Sequence, residues 1–504
     1  MKYYLGLDNG GSNTKAALFD TNGKEIGSFG ISTGMLTPLP GFAESDMEEK
    51  WLDNCRVIRG LLERCGADPA DISGVGICGH GKGLYLWGKD GKPVRNGITS
   101  NDTRAYRYPE MWRDEGIEEK VFALSCQHIM ECQPVALLAW VRDNEPSNYQ
   151  NIKWVFECKD YIRFRLTGRA LAERTDYSGA NLLNLHTGEV DEELLELFGL
   201  SEIKDAIPPL CNAIDICGYV TEEAASLTGL KAGTPVIGGM FDIDACALAC
   251  GIFDEENICA IAGTWSINEY IRKSPVLDGS VRMNSLFALP GYYLVEESSP
   301  TSAGNNEWFN KTLLPEVFEG ENPYDVINGW VEEVAPEEFV PVFLPFIMAS
   351  NVHPNARGTW AGVNLSTSRK HMARSVYEGI VFGHKMHIER LLESREKLPG
   401  CVRLSGGAAK SRVWTQIFAD ALQMPVETVD VAEAGAFGCA LAVSVAVGDY
   451  KDLYEASSHM CPVSERVLPR TELADVYRKK YQLYKRTIEC LDPLWDDMQK
   501  VIEG

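Results

Sequence analysis

Positive charge is what this chain has little of: 48 lysines and arginines stand against 72 aspartates and glutamates in 504 residues, a net charge of −24. A nucleic acid or an anionic membrane needs a basic footprint, so neither is expected as a partner. A phosphate-bearing ligand must then be gripped by local donors and a metal ion, against the field of the whole molecule. The start, MKYYLGLDNG, lacks the extended apolar segment of a secretory signal. The uncharged stretch Ala434–Gly448 has fifteen residues, too few and too glycine-broken for a bilayer span. The 15 cysteines include no C-x-x-C pair, and their odd number predicts reduced thiols in a cytoplasmic enzyme. Cys246 and Cys250 share a helical face, where core packing suffices to explain them. What is present is a globular composition, 45% hydrophobic and 10% aromatic, in a chain too long for one core. Two or more domains are expected.

The stretch Tyr4–Lys15, YLGLDNGGSNTK, carries the first chemical signal. An apolar run ends at Asp8, breaks at Gly10-Gly11, passes Ser12, Asn13 and Thr14, and reaches Lys15 before Ala16–Phe19 resume a strand pattern. Glycines at a bend free backbone N–H groups to face an anion, and the hydroxyls and Lys15 add donors. Asp8 is suited to a hydrated Mg²⁺, which takes one or two carboxylates plus phosphate oxygens. An ordinary hairpin with a solvated polar tip explains the same residues, and both readings stay open here. Ile258–Tyr270 repeats the design, with the bend at Gly263-Thr264 and Ala262 in place of the acid. Two such bends suggest a duplicated fold.

Further along, Ser45 and Glu48 have capping-box spacing ahead of an amphipathic helix within Glu44–Gly66. Strands over Ile72–Cys78 and Leu84–Trp87 beside that helix indicate an α/β layered domain. Gly74, Gly76 and Gly79 fit G-x-G-x-x-G, but a strand follows where a dinucleotide site needs a helix. Gly79-His80-Gly81-Lys82-Gly83 lacks the spacing of a phosphate loop. Thr234–Gly251 reads as strand, Gly238-Gly239 turn and helix, which puts Asp242 at a helix start, where an ordinary N-cap aspartate is the simpler account. Residues 371–392 read as a long helix, on which His384 and His387 form a metal pair only if a third ligand exists, and none is apparent. Cys401–Leu404 leads through Ser405-Gly406-Gly407-Ala408-Ala409-Lys410 into another helix, glycines there letting a flat ligand approach the backbone.

Asp8–Lys15, Gly263-Thr264 and Ser405–Lys410 together resemble the two phosphate loops and the adenosine loop of the actin-like ATPases. At Gly358–Gly379, G-x-W-x-G-V, seven residues and H-M-x-x-S-V-Y-E-G resemble the C-terminal signature of the FGGY family of carbohydrate kinases. The N-terminal signature, near Pro134–Asn144, is met in part, with Leu137 where lysine is usual. The resemblance runs from residue 3 to about 450. It implies an α/β fold of two actin-like, ribonuclease-H-like ATPase domains with a cleft between them, 1–251 and 252–504. It implies ATP and Mg²⁺ as cofactors, a sugar or polyol acceptor, and a homodimer. Gly79–Gly83, Gly238–Asp242 and Ser298–Asn305 resemble the L-xylulose kinases within the family, whereas D-xylulose enzymes usually carry Met-His where Gly81-Lys82 stand here. D-xylulose, ribulose or a tetritol such as erythritol remain alternative acceptors, and a non-catalytic sugar or ATP sensor is the alternative of another class. On this resemblance Asp242 is the general base, preferred to Asp244 because it directly follows the turn. His80, Lys82, Asp102 and Asp242 meet the sugar. Gly10, Gly11, Ser12, Asn13, Thr14, Lys15, Gly263, Thr264, Gly406, Gly407 and Lys410 meet the nucleotide, and Asp8 holds the metal.

Overall fold

The computed structural model describes residues 1–11, 13–281, 283–319, 322–429, 431, 433–461 and 463–503. The chain forms two compact units, Met1–Phe253 with Ile271–Val295 and Glu433–Pro462, and Asp254–Tyr270 with Glu296–Ala432 and Val463–Gly504. Among the described residues no helix is long and apolar enough to cross a membrane.

In the first unit the opening run does form a hairpin. Tyr3–Asn9 pairs antiparallel with Asn13–Asp20, setting Asp8 opposite Lys15 and Asn9 opposite Thr14. Its other neighbour is the parallel strand Ile72–Gly79, and the sheet continues through Pro235–Ile237 to Ile216–Tyr219. Parallel pairing brings strand ends to one side of a sheet, so Asn9, Gly79 and Phe241 lie in one row. That row is where the loops with chemical residues begin.

Two helices cover this sheet for different reasons. Met47–Cys65 presents Trp51, Val57, Ile58 and Leu61, all buried, as an amphipathic face. Its N-cap is Asp46, which accepts from Glu49 N–H at 2.9 Å, one residue beyond the expected Ser45. Ser45 is unavailable because Glu44–Ser45 pairs as a short strand with Gly97–Ile98. Ala434–Ala446 instead lies in a trough made by glycines. A Cβ on Gly6 would stand 2.0 Å from the Ala436 carbonyl oxygen, and one on Gly76 2.8 Å from that of Cys439. Gly74 likewise abuts Val443. The misleading G-x-G-x-x-G thus owes two of its glycines to helix packing, not to a nucleotide. Gly438 in turn lets this helix cross Asp242–Ala249 at the Ala245 carbonyl.

The second unit repeats the plan. Ile258–Ala262 pairs antiparallel with Ser266–Arg272 and parallel with Val402–Gly406, and Val426–Val429 and Val463–Val467 follow outward. Helix Arg369–Glu393 carries the FGGY-like signature, and its residues turn out to be packing residues. Trp360 stacks on Phe343 at 4.4 Å and donates its indole N–H to Ser375 at 3.1 Å. A Cβ on Gly379 would stand 2.3 Å from the Phe343 carbonyl oxygen. His384 bonds Asn268 and Ser302 at 2.8 Å each, and His387 bonds Ser299 at 2.7 Å. The pair therefore serves the core. Burial pushes the His384 imidazole down to about 3, with His387 adding to the effect.

Candidate active site

The first unit gathers most of the expected residues along its row of strand ends. Asp8 is the next-to-last residue of its strand, half-buried, and burial pushes its carboxyl above the ordinary carboxylate range. Lys15 opposes that push, Glu433 adds to it, and the Cys78 thiol hydrogen-bonds the carboxylate. Among the described residues no group of three or more His, Cys, Asp or Glu could hold a metal. A lone, partly accessible carboxylate with spare lone pairs suits a hard cation that keeps water and phosphate oxygens as its other ligands. Asp8 fits that requirement.

The turn itself is held from below. Asn54 donates to Asn9 Oδ1 at 2.8 Å, and Thr14, fully buried, points its hydroxyl at the same oxygen from 3.5 Å. Thr14 is thus a brace for the turn. Lys15 pairs with Glu433 at 3.2 Å. Lys50 donates to the Gly10 carbonyl at 3.2 Å. Gly11 lies near the exposed Asn101, whose amide is 3.7 Å from where a Cβ would stand. Gly10 and Gly11 are partly accessible and Asn13 is exposed, while Ser12 lies outside the described residues.

His80 follows the strand Ile72–Gly79 and is buried, with Nε2 3.0 Å from the Tyr85 hydroxyl. Burial, then the charge of Lys50, pushes it down to about 4, so it is neutral at physiological pH. Lys82 adopts φ 63, left-handed for a side-chain-bearing residue, and sets its ammonium 5.7 Å over the Phe241 ring. That ring belongs to the residue before Asp242, which also packs against Gly81. The His80–Gly83 loop and the Asp242 loop therefore touch through Phe241.

Asp102 is placed differently from His80 and Lys82. It is fully buried, and its oxygens accept from Ala43 N–H at 2.6 Å, Arg104 N–H at 2.9 Å, and the Arg104 guanidinium at 2.9 and 2.8 Å. With Arg104 stacked 4.0 Å over Phe42, it ties the loop 41–44 to the loop 99–104. No atom of it reaches the surface where a sugar would bind.

Asp242 opens the helix Asp242–Ala249 and is half-buried. It is the first helical residue, not the cap, which is Phe241. Asp244 is fully buried and accepts from Ala288 N–H at 2.9 Å. Burial, with the neighbouring charge of Glu173, holds its carboxyl well above the usual range. The two aspartates have separate environments, one accessible and one sealed.

The turn before Asp242 hangs from a buried ionic cluster that the sequence did not reveal. Gly239, at φ 73, runs so close to Ile77 that a Cβ would stand 1.9 Å from its carbonyl oxygen. The Arg163 guanidinium donates to the Gly238 carbonyl. At the other end Phe241 N–H donates to Thr175 Oγ1 at 2.9 Å, and that hydroxyl donates to Glu173 at 2.7 Å. Lys159 ties the acids together, at 3.0 Å from Asp160, 3.2 Å from Asp176 and 3.4 Å from Glu173. Charged residues on otherwise apolar segments (Lys159 and Arg163 between Cys158, Tyr161 and Ile162) were the available signal.

The second unit assembles its own group. Gly263 and the exposed Thr264 form the bend after Ile258–Ala262. Gly406 lies opposite Ala262 in the parallel register, and its φ of 86 and close approach to the Ala262 carbonyl admit only glycine. Gly407 is exposed beside it, and Lys410, also exposed, ends the short turn Gly407–Lys410. The phosphate-like bend and the glycine pair are thus adjacent. Gly304 supports Thr264 from behind, within 3.1 Å of its methyl for an added Cβ.

Comparison with known proteins accounts for both halves of the chain. The N-terminal domain of the FGGY family of carbohydrate kinases matches residues 3–249, and the C-terminal domain matches residues 258–447. The L-xylulose/3-keto-L-gulonate kinase of Escherichia coli (strain K12) is 38% identical over 97% of this chain and 97% of its own. A probable L-xylulose kinase of Pasteurella multocida (strain Pm70) is 36% identical, covering 97% and 99%. The crystal structure of a xylulose kinase from Rhodospirillum rubrum superposes with a TM-score of 0.85 at 27% identity, covering 98% of this chain and 100% of that one. With the strand–turn–strand units, the Gly-Gly turn before Asp242 and both matched domains pointing the same way, this protein is a carbohydrate kinase of the FGGY family.

Proposed function

We propose that the protein transfers the γ-phosphoryl group of ATP to a hydroxyl of L-xylulose, giving L-xylulose 5-phosphate and ADP. The relatives at 38% and 36% identity, named for L-xylulose, support the acceptor. The observation that carries the chemistry is the contrast between Asp242, accessible and tied through Phe241 to the His80–Gly83 loop, and Asp244, sealed and engaged with Ala288. Asp242 takes the proton of the sugar hydroxyl. The hydroxyl oxygen bonds to the γ-phosphorus as the bond to the β,γ-bridging oxygen breaks, and ADP leaves. Lys82 and the neutral His80 orient the sugar, and Asp102 acts by holding Arg104 and its loop. The Gly10–Lys15 turn takes phosphates in one unit, and Gly263, Thr264, Gly406, Gly407 and Lys410 take phosphates and adenosine in the other. Asp8 would hold Mg²⁺, which when bound neutralises phosphate charge. In sequence the two family domains divide after residue 251, a reading supported by the gap between the two matched stretches, while Ile271–Val295 and Glu433–Pro462 fold with the first unit.

Asp242→Asn is expected to abolish phosphoryl transfer while ATP affinity stays within about threefold, since a base in the transition state contributes about 10²–10⁴-fold. Wild-type turnover in that variant sinks the assignment. A panel of L-xylulose, D-xylulose, ribulose and erythritol with ATP tests the acceptor, and a higher kcat/KM for any of the last three overturns L-xylulose.

A further inference from the structure

Five lysines and arginines are buried among the described residues: Lys50, Arg104, Lys159, Arg163 and Arg374. Four have carboxylate partners. Arg104 pairs with Asp102 and Glu44, Lys159 with Asp160, Asp176 and Glu173, Arg163 with Asp160, and Arg374 with Glu378. Lys50 has none. It is 4% exposed, and its ammonium makes one hydrogen bond, to the Gly10 carbonyl at 3.2 Å. Two of its three N–H donors are uncommitted.

A buried ammonium without a counter-ion is costly, and a fold that pairs its other buried cations has the means to avoid it. The position explains the exception. Lys50 sits on the buried face of helix Met47–Cys65, one turn in, and reaches the glycine turn between Asp8 and Lys15. Its ammonium lies at the Gly10 carbonyl, close enough for its charge to act on both Asp8 and His80. Lys15, the other cation of this turn, is already paired with Glu433. Among the described residues no carboxylate lies within ion-pair distance of Lys50, so its two uncommitted donors are open to an anionic group that arrives beside the glycine turn.

We infer that Lys50 is a further catalytic residue, whose ammonium donates hydrogen bonds to the non-bridging oxygens of the phosphoryl group in transit. This rests on the kinase reading above. Lys50 gives up no proton and forms no covalent bond. It neutralises charge on the transferred group while its bond to Gly10 fixes its direction. A carboxylate on a sugar-acid acceptor would offer the same anionic oxygens, and the experiment separates the two sources.

Lys50→Met and Lys50→Arg are assayed with Mg²⁺-ATP on the uncharged pentulose and on a keto sugar acid. Loss of one charged donor to a transition state lowers kcat by about 10²–10³-fold. The expected result is that fall in Lys50→Met on the pentulose, with the KM for ATP and for sugar within about threefold and part of kcat recovered in Lys50→Arg. A kcat within about twofold of wild type overturns the proposal, as does a rise in KM confined to the sugar acid, which assigns the lysine to a substrate carboxylate. Should Lys50→Met not fold, Lys50→Gln carries the test: a lowered kcat at unchanged KM for ATP and for sugar supports the role, and a kcat within about twofold of wild type overturns it. Wild-type protein without activity on any acceptor removes the kinase reading itself, an outcome distinct from an active wild type with an indifferent Lys50.

Discussion

Replacing Gly435 by alanine adds one methyl group where the site has no room for it. Gly435 lies in the first turn of helix Ala434–Ala446, and a Cβ there would stand 2.8 Å from Asp8 Oδ2, 3.1 Å from its Cγ and 3.1 Å from the Cys78 sulfur. The oxygen must retreat by about 0.6 Å to restore ordinary contact, more than the roughly 0.5 Å within which a reactive constellation works. Stability and activity should then separate. Overpacking costs about 1–3 kcal/mol, but alanine in place of glycine in a helix returns about 0.5–1 kcal/mol, so the net loss is about 2.5 kcal/mol at most. A misplacement approaching 1 Å costs about 10²-fold in rate, so kcat should fall about 10- to 100-fold. The apparent requirement for Mg²⁺ should rise with it, because Asp8 is the displaced group.

The assay is ADP release at saturating ATP and sugar over a Mg²⁺ titration, beside a urea unfolding curve of the same preparation. Gly438→Ala is the control: its Cβ would stand 2.1 Å from the Ala245 carbonyl oxygen, a backbone atom with nowhere to go. That variant should lose stability first and activity only in consequence. If Gly435→Ala turns over within about twofold of wild type at every Mg²⁺ concentration, the placement of Asp8 as the metal carboxylate is refuted.

Thr175→Val removes the acceptor of Phe241 N–H and should lower kcat, and cost about 1–3 kcal/mol for the unsatisfied group, while Thr175→Ser retains both; equal loss in the two variants would refute a hydrogen-bonding role. The contributions of His80 and His384 to stability should fall from about pH 6.5 downward, because they are held neutral to about 4 and about 3 while their unfolded counterparts protonate near 6.5. The buried carboxyls Asp8 and Asp244, whose folded values are raised, act with the opposite sign, so the histidine part is read from the difference between wild type and His384→Gln. The stability from each neutral imidazole is complete above the unfolded value and is lost as pH falls toward the folded one, at about 1.4 kcal/mol per pH unit per histidine. Urea unfolding between pH 7 and 5 measures the slope, and His384→Gln should flatten it by one proton's worth; an unaltered slope contradicts the buried neutral assignment.

How much of this was readable in the sequence depends on whether a residue acts locally. The hairpin at Tyr3–Asp20 was legible because alternation and a Gly-Gly bend are local facts, and the repeat at Ile258–Arg272 because it obeys the same rule. Roles decided by what lies across the fold were not. Asp102 was expected at the sugar on the family resemblance, and what the sequence could not show is that Ala43 and Arg104 fill its hydrogen-bonding capacity. Gly74 and Gly76 matched a nucleotide pattern because a helix needs the same missing side chain that a pyrophosphate needs. Lys50 was hidden for a third reason: amphipathic spacing from Met47 through Trp51 to Ile58 places position 50 on the inner face, and the pattern was taken from its apolar members only.

The lysines around the first turn show how a chain of net charge −24 can still attract phosphate. Lys15 pairs with Glu433 at 3.2 Å and still acts on Asp8, whose carboxyl it holds down against burial. Lys82 lies over Phe241, a partner that orients the ammonium without neutralising it. Lys50 is buried with a carbonyl alone. Burial lowers the local dielectric, so an unpaired ammonium there acts on an anion several-fold more strongly than an exposed one, while salt screens it less. Many surface carboxylates act through water and fade within about a Debye length of 10 Å. The acidic exterior therefore discourages polyanions, and in the role proposed for it Lys50 would supply a desolvated positive charge beside the glycine turn.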